Sequence, residues 1–429
     1  MASSRLPLGA GVVFMAMASL HLATAWVGGP ARNWHGQTSE YYQLLADAFG
    51  AGQTSLLVKP APEMLALPDP YDPEANANYR LHDASLYRGK YYLYFGPTPA
   101  LVLFLPVRLL TGLALPSRAA VGLFCDFGFA CSCLLLFLLA RNEKWEMPEW
   151  LGAAAVLSMA TVPGVAFLLI RPSFYEVAIS GAYCFSMAGF LLTAWAEARP
   201  LRLAAAGLCF GLAAGCRPDA ALIAVVMTAI AGLRFRRQPG SALAFAAPVA
   251  FCGVALAAYN YARFGSPFEF GIKYILLANR ADFQEHFGNA LATVLPSIYG
   301  LLAAPTNLQP LAPSMGILRF APIAILGLAA PAVLPMVRRS GTRLAIAGMY
   351  LSAIGVLILL AFMGFVLGRY TVDFAPPLVC LAWCGAAAIR QRLQGRPRLW
   401  RAPFGLAVVA ATLYTAVLDF SFCVTRVPR

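Results

Sequence analysis

Apolar runs long enough to cross a bilayer recur along the chain, and they restrict it to a helical membrane protein. The first, Leu8–Val27, carries no Asp, Glu, Lys or Arg. Further runs lie near 119–140, 151–170, 177–196, 203–216, 218–233, 241–260, 318–336, 344–367, 372–389 and 404–424. A residue in a helix rises about 1.5 Å, so about 20 of them match a hydrocarbon core of about 30 Å. No water solvates backbone there, which leaves helices or closed barrels. Continuous rather than alternating hydrophobicity selects helices. With 60% hydrophobic and 12% charged residues, the expected fold is an all-α polytopic membrane protein. It is one integral membrane domain over 1–429, with about eleven spans.

Charge sets the expected sidedness. The net charge of +13 does not point to nucleic acid, because the arginines sit in short clusters between apolar runs. The strongest clusters are Arg234, Arg236 and Arg237; Arg338, Arg339 and Arg343; and Arg390, Arg392, Arg396, Arg398 and Arg401. The positive-inside rule makes these cytoplasmic. Alternation then puts 141–150 and 197–202 inside, with 115–118, 171–176 and Arg217 outside. The N-terminus is cytoplasmic and the C-terminus external, as in a bacterial inner membrane. Ala23-Thr24-Ala25 resembles a cleavage site, but the run is long and only Arg5 precedes it, so it is read as a span. The segment 97–114, with Pro106 and Arg108, must then begin and end outside, in-plane or re-entrant. No Gly-rich phosphate loop is present. All ten Cys lie in or beside apolar runs with no metal spacing.

Two large external loops remain, 28–118 and 261–317. The first holds Glu40, Asp47, Glu63, Asp69, Asp72, Glu74 and Asp83, seven of the nineteen acids. Ser39 is placed to cap a helix starting at Glu40. Tyr41, Leu44, Leu45, Ala48 and Phe49 form its apolar stripe, which predicts an interfacial helix with Glu40, Gln43 and Asp47 on the wet face. A Pro-rich polar stretch follows, in which Asp69, Asp72 and Glu74 read as a solvated turn rather than a cation site. The Tyr-rich run 82–95 suits an interface. The second loop carries Arg263, Lys273, Arg280, Asp282, Glu285 and His286. Polar groups distant in sequence thus converge on one membrane face, which marks them as functional candidates. Structural alternatives exist: Glu176 pairing with Arg171, Arg369 with Asp373, Arg217 snorkelling at a helix break, and His21 packed inside its span. Asp126 has no obvious partner.

The pattern resembles the GT-C glycosyltransferases, particularly the protein O-mannosyltransferase and lipid A aminoarabinose transferase type. Gln37-Thr38-Ser39-Glu40-Tyr41-Tyr42-Gln43-Leu44-Leu45-Ala46 is similar to that family's acid-then-Tyr-Tyr helix. Arg171-Pro172-Ser173-Phe174-Tyr175-Glu176 stands where the family places a second acid. The Gly-rich run from Gly207 to Arg217 and the Arg369-Tyr370…Pro376-Pro377 stretch resemble two further signatures. Ser39 departs from the family's Asp, and Gly96-Pro97-Thr98-Pro99 replaces an acid-Lys-Pro-Pro step, with Lys90 upstream.

The resemblance implies a GT-C-like helical bundle with in-plane helices in the first external loop, and a polyprenyl-phosphate-linked sugar as donor. Glu40, Asp83 and Glu176 are then candidates for the general base on the acceptor. Lys90, Arg217 and Arg369 are candidates for the phosphate, and Tyr41, Tyr42, Arg171 and Arg263 for substrate contacts. Glu40, Glu176 and Arg217 are expected to line one cavity. No metal site is indicated, though a divalent cation is compatible with such chemistry; the acceptor is unnamed. The alternatives are a transporter or flippase of a lipid-linked glycan, or a non-catalytic membrane protein retaining the fold. The polar groups lie at one face rather than the midplane, which disfavours a transporter.

With the arginine clusters fixing the cytoplasmic side, a cysteine at position 65 and one after Arg429 should both react with an impermeant thiol reagent from outside. Protection of either one removes the eleven-span arrangement and returns 97–114 to an ordinary span.

Overall fold

The computed structural model describes residues 8–28, 40–197, 199–277, 290–304, 316–363 and 368–426. The main elements are α1 (Leu8–Val27), α2 (Tyr41–Gly50), the hairpin of β1 (Ser85–Tyr87) and β2 (Lys90–Tyr92), α3 (Leu105–Thr111), α4 (Ser117–Glu143), α5 (Glu149–Ala160) and α6 (Val165–Ile170). They continue with α7 (Phe174–Ala196), α8 (Pro200–Ala214), α9 (Ala220–Arg234), α10 (Pro239–Phe264), α11 (Ala290–Leu302), α12 (Ser340–Met363), α13 (Ala375–Leu393) and α14 (Arg398–Arg426). Among the described residues, 6 helices are long and apolar enough to cross a membrane: α1, α4, α7, α10, α12 and α14. The chain is an integral membrane protein of all-α class with one small hairpin.

Two expected spans are broken. The run 151–170 divides where α5 stops at Ala160 and Gly164 turns left-handed at φ 95°. Pro163 between them offers no amide to continue the helix. The run 318–336 becomes short turns at Ile317–Phe320, Ala324–Leu328 and Ala330–Met336, interrupted by Pro322, Pro331 and Pro335. Hydropathy reports burial in both cases; proline decides continuity.

The bundle centres on α7 and α13. Residues 375–388 of α13 are buried, Trp383 completely. Helices α1 and α10 lie at the periphery, with 17% and 6% of their apolar windows buried. The Gly-rich run explains how α10 docks. A Cβ on Gly207 would meet Phe245 O at 2.1 Å, and one on Gly211 would meet Cys252 at 2.7 Å, so small residues bring the backbones together.

Both faces of the bundle are tied by polar contacts. At one end Glu143 accepts the backbone N–H of Arg338 (2.6 Å) and Arg339 (3.0 Å). Arg339 pairs with Glu197 at 2.8 Å, and Glu149 accepts the N–H of Leu8 and Gly9 at the start of α1. The loops around 141–150, 197–202 and 338–343 thus meet at this end. Residues of the first loop meet the opposite end. Between the ends, His21 of α1 is buried. Its Nδ1 lies 2.9 Å from Asp126 Oδ1 and its Nε2 3.1 Å from Ala160 O, the last carbonyl of α5. Asp126 therefore has the partner that its sequence context does not reveal.

The first loop differs locally from expectation. Helix α2 starts at Tyr41; Glu40 sits at the N-cap with no side-chain cap bond, and Ser39 lies outside the described residues, as do Arg280, Asp282, Glu285 and His286. Glu40 Oε2 instead accepts from Ser117 N (2.6 Å) and Ser117 Oγ (2.7 Å), holding the start of α4. Gln43 is buried and accepts the Leu115 N–H at 2.9 Å. The wet face is thereby absorbed into protein contacts. Tyr41, Tyr42, Leu45 and Ala48 are fully buried rather than laid on lipid. The Tyr-rich run forms the hairpin, with Leu86 opposite Tyr91. Helix α3 extends a π-turn at Ala100–Phe104, and the combined Ala100–Thr111 helix is too short to span. It leans on α2 through Arg108 Nε–Asp47 at 3.2 Å and exposes Leu109 and Leu110.

Gly96 and Gly215 pin this loop to the bundle. A Cβ on Gly96 would meet Gly215 O at 2.1 Å, and the Thr98 N–H donates to that carbonyl at 3.1 Å. Gly96→Ala should therefore destabilise by about 2 kcal/mol, since backbone cannot yield as a side chain does. Gly50→Ala, with open space around its Cβ, should not destabilise. Thermal denaturation in detergent checks both.

Candidate functional site

Three segments bring charge to the bundle end that holds the first loop. The first is the start of α7. Ser173 and Glu176 form a capping box: the Ser173 N–H donates to Glu176 Oε2 at 3.1 Å, and the Ser173 hydroxyl donates to the same oxygen. The second is the α8–α9 junction, where Arg217 is buried. The third is a tight 3₁₀ turn over Gly368–Asp373, packed on the α5–α6 break: a Cβ on Gly164 would meet Gly368 O at 3.0 Å.

The turn links the other two. Arg369 Nη1 donates to Glu176 Oε1 at 3.1 Å. Arg217 Nε donates to Asp219 Oδ1 at 2.9 Å, and its Nη2 lies 3.4 Å from Asp373 Oδ2. Tyr370 lies between the guanidiniums, 5.1 Å from that of Arg217 and 5.6 Å from that of Arg369. The near-neighbour pairings weighed as structural alternatives give way to long-range ones. Glu176 takes Arg369 rather than Arg171, and Asp373 takes Arg217 rather than Arg369. A 3₁₀ turn places residues 369 and 373 on different faces, whereas an α-helix stacks i and i+4.

Asp83 enters from the first loop. Its backbone is left-handed at φ 57°, and its N–H donates to Leu276 O at 3.2 Å. The carboxyl is buried, and its Oδ1 accepts no hydrogen bond among the described residues, with His82 Nε2 at 3.6 Å. Burial pushes this carboxyl up to about 7, while Arg369 and Arg80 pull against that. Tyr94 belongs to the same cluster. Burial and then the Asp83 charge push its phenol up, opposed by Arg369 and Arg217.

The remaining candidates have other surroundings. Glu40 holds α4, as above. The Tyr41 hydroxyl donates to His82 O at 2.5 Å and that of Tyr42 to Gly96 O at 3.4 Å, so both tie α2 to the loop. Arg263 donates to Leu93 O and to Asn260 Oδ1 (2.6 Å), beneath the Tyr259 ring at 4.0 Å. Lys90 and Arg171 are exposed. A small cavity lies between α7, α9, α12 and the start of α13. Its lining includes Tyr183, Phe190, Ile223 and Val356, with Asp219 and Asp373 as its charged groups. Glu40, Glu176 and Arg217 are not among its lining residues; it lies beside the Arg217–Asp373 contact. Asp69 and Asp72 accept backbone N–H bonds from Tyr71 (2.8 Å) and Glu74 (2.9 Å), turns of their own loop. Among the described residues no group of three or more His, Cys, Asp or Glu side chains is placed to hold a metal ion.

No family model and no curated protein matches the sequence. Solved structures match the fold. The apo oligosaccharyltransferase of Archaeoglobus fulgidus superposes with TM-score 0.55 at 14% identity over 96% of this chain. Apo ArnT from Cupriavidus metallidurans gives 0.51 at 15% identity over 96% of this chain, and ArnT bound to undecaprenyl phosphate gives 0.52 at 14% over 97%. The fold is the GT-C fold. The chain spans 56% of the archaeal protein's length and 76% of ArnT's.

Within this GT-C bundle, Asp219, Asp373, Tyr94 and Tyr370 join Asp83, Glu176, Arg217 and Arg369. Only the adjacency of Asp219 and Asp373 to the arginines signalled them in the sequence. Asp83 yields a pH test. A carboxyl raised in the folded state adds stability that is full below its unfolded value near 3.9 and is lost as pH rises through about 7. Asp83→Asn should thus stabilise the protein at pH 8 by roughly 2 kcal/mol and leave it little changed at pH 4. Thermal melts at the two pH values check this.

Proposed function

We propose that the chain is a glycosyltransferase that moves a sugar from a polyprenyl-phosphate carrier to an acceptor hydroxyl at the end of the bundle holding the first loop. That end is the external face on the arginine distribution. The observation that carries this reading is the buried Asp83 carboxyl beside the guanidinium cluster, with no hydrogen bond at Oδ1 among the described residues and pushed up to about 7 by burial. ArnT, of the same fold, is a protein whose solved structure holds undecaprenyl phosphate.

The chemistry follows from the residues. The acceptor oxygen attacks the sugar's anomeric carbon, the bond from that carbon to the phosphate oxygen breaks, and the lipid phosphate leaves with the electron pair. Asp83 takes the acceptor's proton, for which a value near the working pH is suited. Arg217 and Arg369 face the charge that the departing phosphate gains. Glu176 fixes Arg369 while capping α7. The small cavity beside Asp219 and Asp373 is lined mainly by apolar side chains, the chemistry a prenyl chain would meet. Glu40 serves the loop's architecture rather than the proton transfer.

Release of undecaprenyl phosphate from undecaprenyl-phosphate sugars, in membranes supplied with envelope extract, reads transfer without knowing the acceptor. Asp83→Asn should lower it by about 10²–10⁴-fold. Arg217→Ala should abolish it and Arg217→Lys weaken it, because a single ammonium cannot reproduce a guanidinium's paired bonds. Glu40→Gln should retain activity to within about tenfold. Full activity of Asp83→Asn would remove this assignment of the base.

A further inference from the structure

Arg217 meets two carboxylates, and they hold it unequally. Asp219 stands two residues on and is hydrogen-bonded to Nε at 2.9 Å, so it moves with the arginine. Asp373 comes from the Gly368–Asp373 turn. Its Oδ2 lies 3.4 Å from Nη2, yet that oxygen is buried and makes no hydrogen bond among the described residues. Distance without hydrogen-bond geometry is a weak hold. Both carboxyls border the apolar cavity.

Charge makes this arrangement informative. Around the turn, Arg217 and Arg369 stand against Glu176, Asp219 and Asp373, before Asp83 is counted. A phosphate arriving with all these carboxylates in place and charged would enter a site already rich in negative charge, and juxtaposed like charges repel. One carboxylate must therefore leave the guanidinium, or be neutralised, when a phosphate binds. Asp219 is held to the guanidinium by its hydrogen bond and by chain proximity. Asp373 has neither tie to the guanidinium; its carboxyl meets that of Asp219.

We propose that Asp373 occupies the anion position of Arg217 as an internal stand-in, and that the phosphate of a prenyl-phosphate ligand displaces it. This rests on the reading under Proposed function and deepens it. Asp373 sets specificity: a ligand must bring an anion to Arg217 to move the aspartate, so an uncharged prenyl alcohol gains nothing there. Displacement also reaches the proton-transfer region. Asp373 shares a six-residue turn with Arg369, which pairs with Glu176 and faces Asp83.

The test compares binding of undecaprenyl phosphate and of undecaprenol to wild type, Asp373→Asn and Asp219→Asn, by native mass spectrometry of the full chain in detergent at one pH and salt. Asp373→Asn should bind undecaprenyl phosphate at least about tenfold more tightly than wild type, a difference of about 1.4 kcal/mol. Its undecaprenol binding should not change. Asp219→Asn, which loosens the hydrogen bond orienting Nε, should not tighten binding to the same degree. Asp373→Ser makes the same comparison where the asparagine variant fails to fold. Phosphate-dependent binding by wild type that neither Asp373 variant strengthens overturns the displacement alone. Equal binding of undecaprenyl phosphate and undecaprenol by every protein overturns the lipid-phosphate reading, and the displacement with it.

Discussion

A guanidinium shut inside a helical bundle needs an anion within reach, because desolvation of a bare charge costs far more than one contact returns. Arg369 and Arg217 impose that condition on the end of the bundle that holds the first loop. The Arg369–Glu176 bond joins residues 193 apart in sequence, and the Arg217–Asp373 contact closes a second long circuit. Both pass through one turn, so α7, the α8–α9 junction and the approach to α13 are positioned together. The α5–α6 break follows from the same requirement: Gly164 lies against Gly368 and Val372, where a continuous helix with side chains would push the turn away.

The first loop is organised by a different economy of polar groups. Its hydroxyls and amides are spent on backbone atoms of neighbouring segments. Tyr41 reaches His82 and Tyr71 reaches Leu86 at 2.7 Å, while Arg263 of α10 donates into the loop at Leu93. Glu40 anchors the first turn of α4. Among the buried atoms these contacts leave without a hydrogen bond is the Oδ1 of Asp83. A buried carboxylate oxygen in that state directs attention to the carboxyl's chemistry rather than its packing.

Much of the architecture was legible from the chain. Hydropathy located the helices because lipid selects on composition over about 20 residues. It failed at 151–170 and 318–336, where proline and a left-handed glycine interrupt helices without lowering hydrophobicity. The site was legible in part. Arg217 at a helix junction and the Arg369 stretch stood out as charges in apolar surroundings. Their partners did not, since pairing over 193 residues leaves no local pattern, and the near neighbour Arg171 is only one alternative for Glu176. Glu40 was read as exposed because its helix is amphipathic; its actual partner, Ser117, lies 77 residues on.

The His21 ring has a consequence for assembly. Both of its nitrogens face oxygen, so the ring finds its partners only in α4 and at the end of α5. During synthesis α1 leaves the ribosome well before Asp126, which follows 105 residues later. Until then its imidazole meets the bilayer with neither partner, a costly state for a polar group in lipid. The peripheral helix, mostly facing lipid, is kept in register by a bond that comes into being only once its neighbours have been inserted.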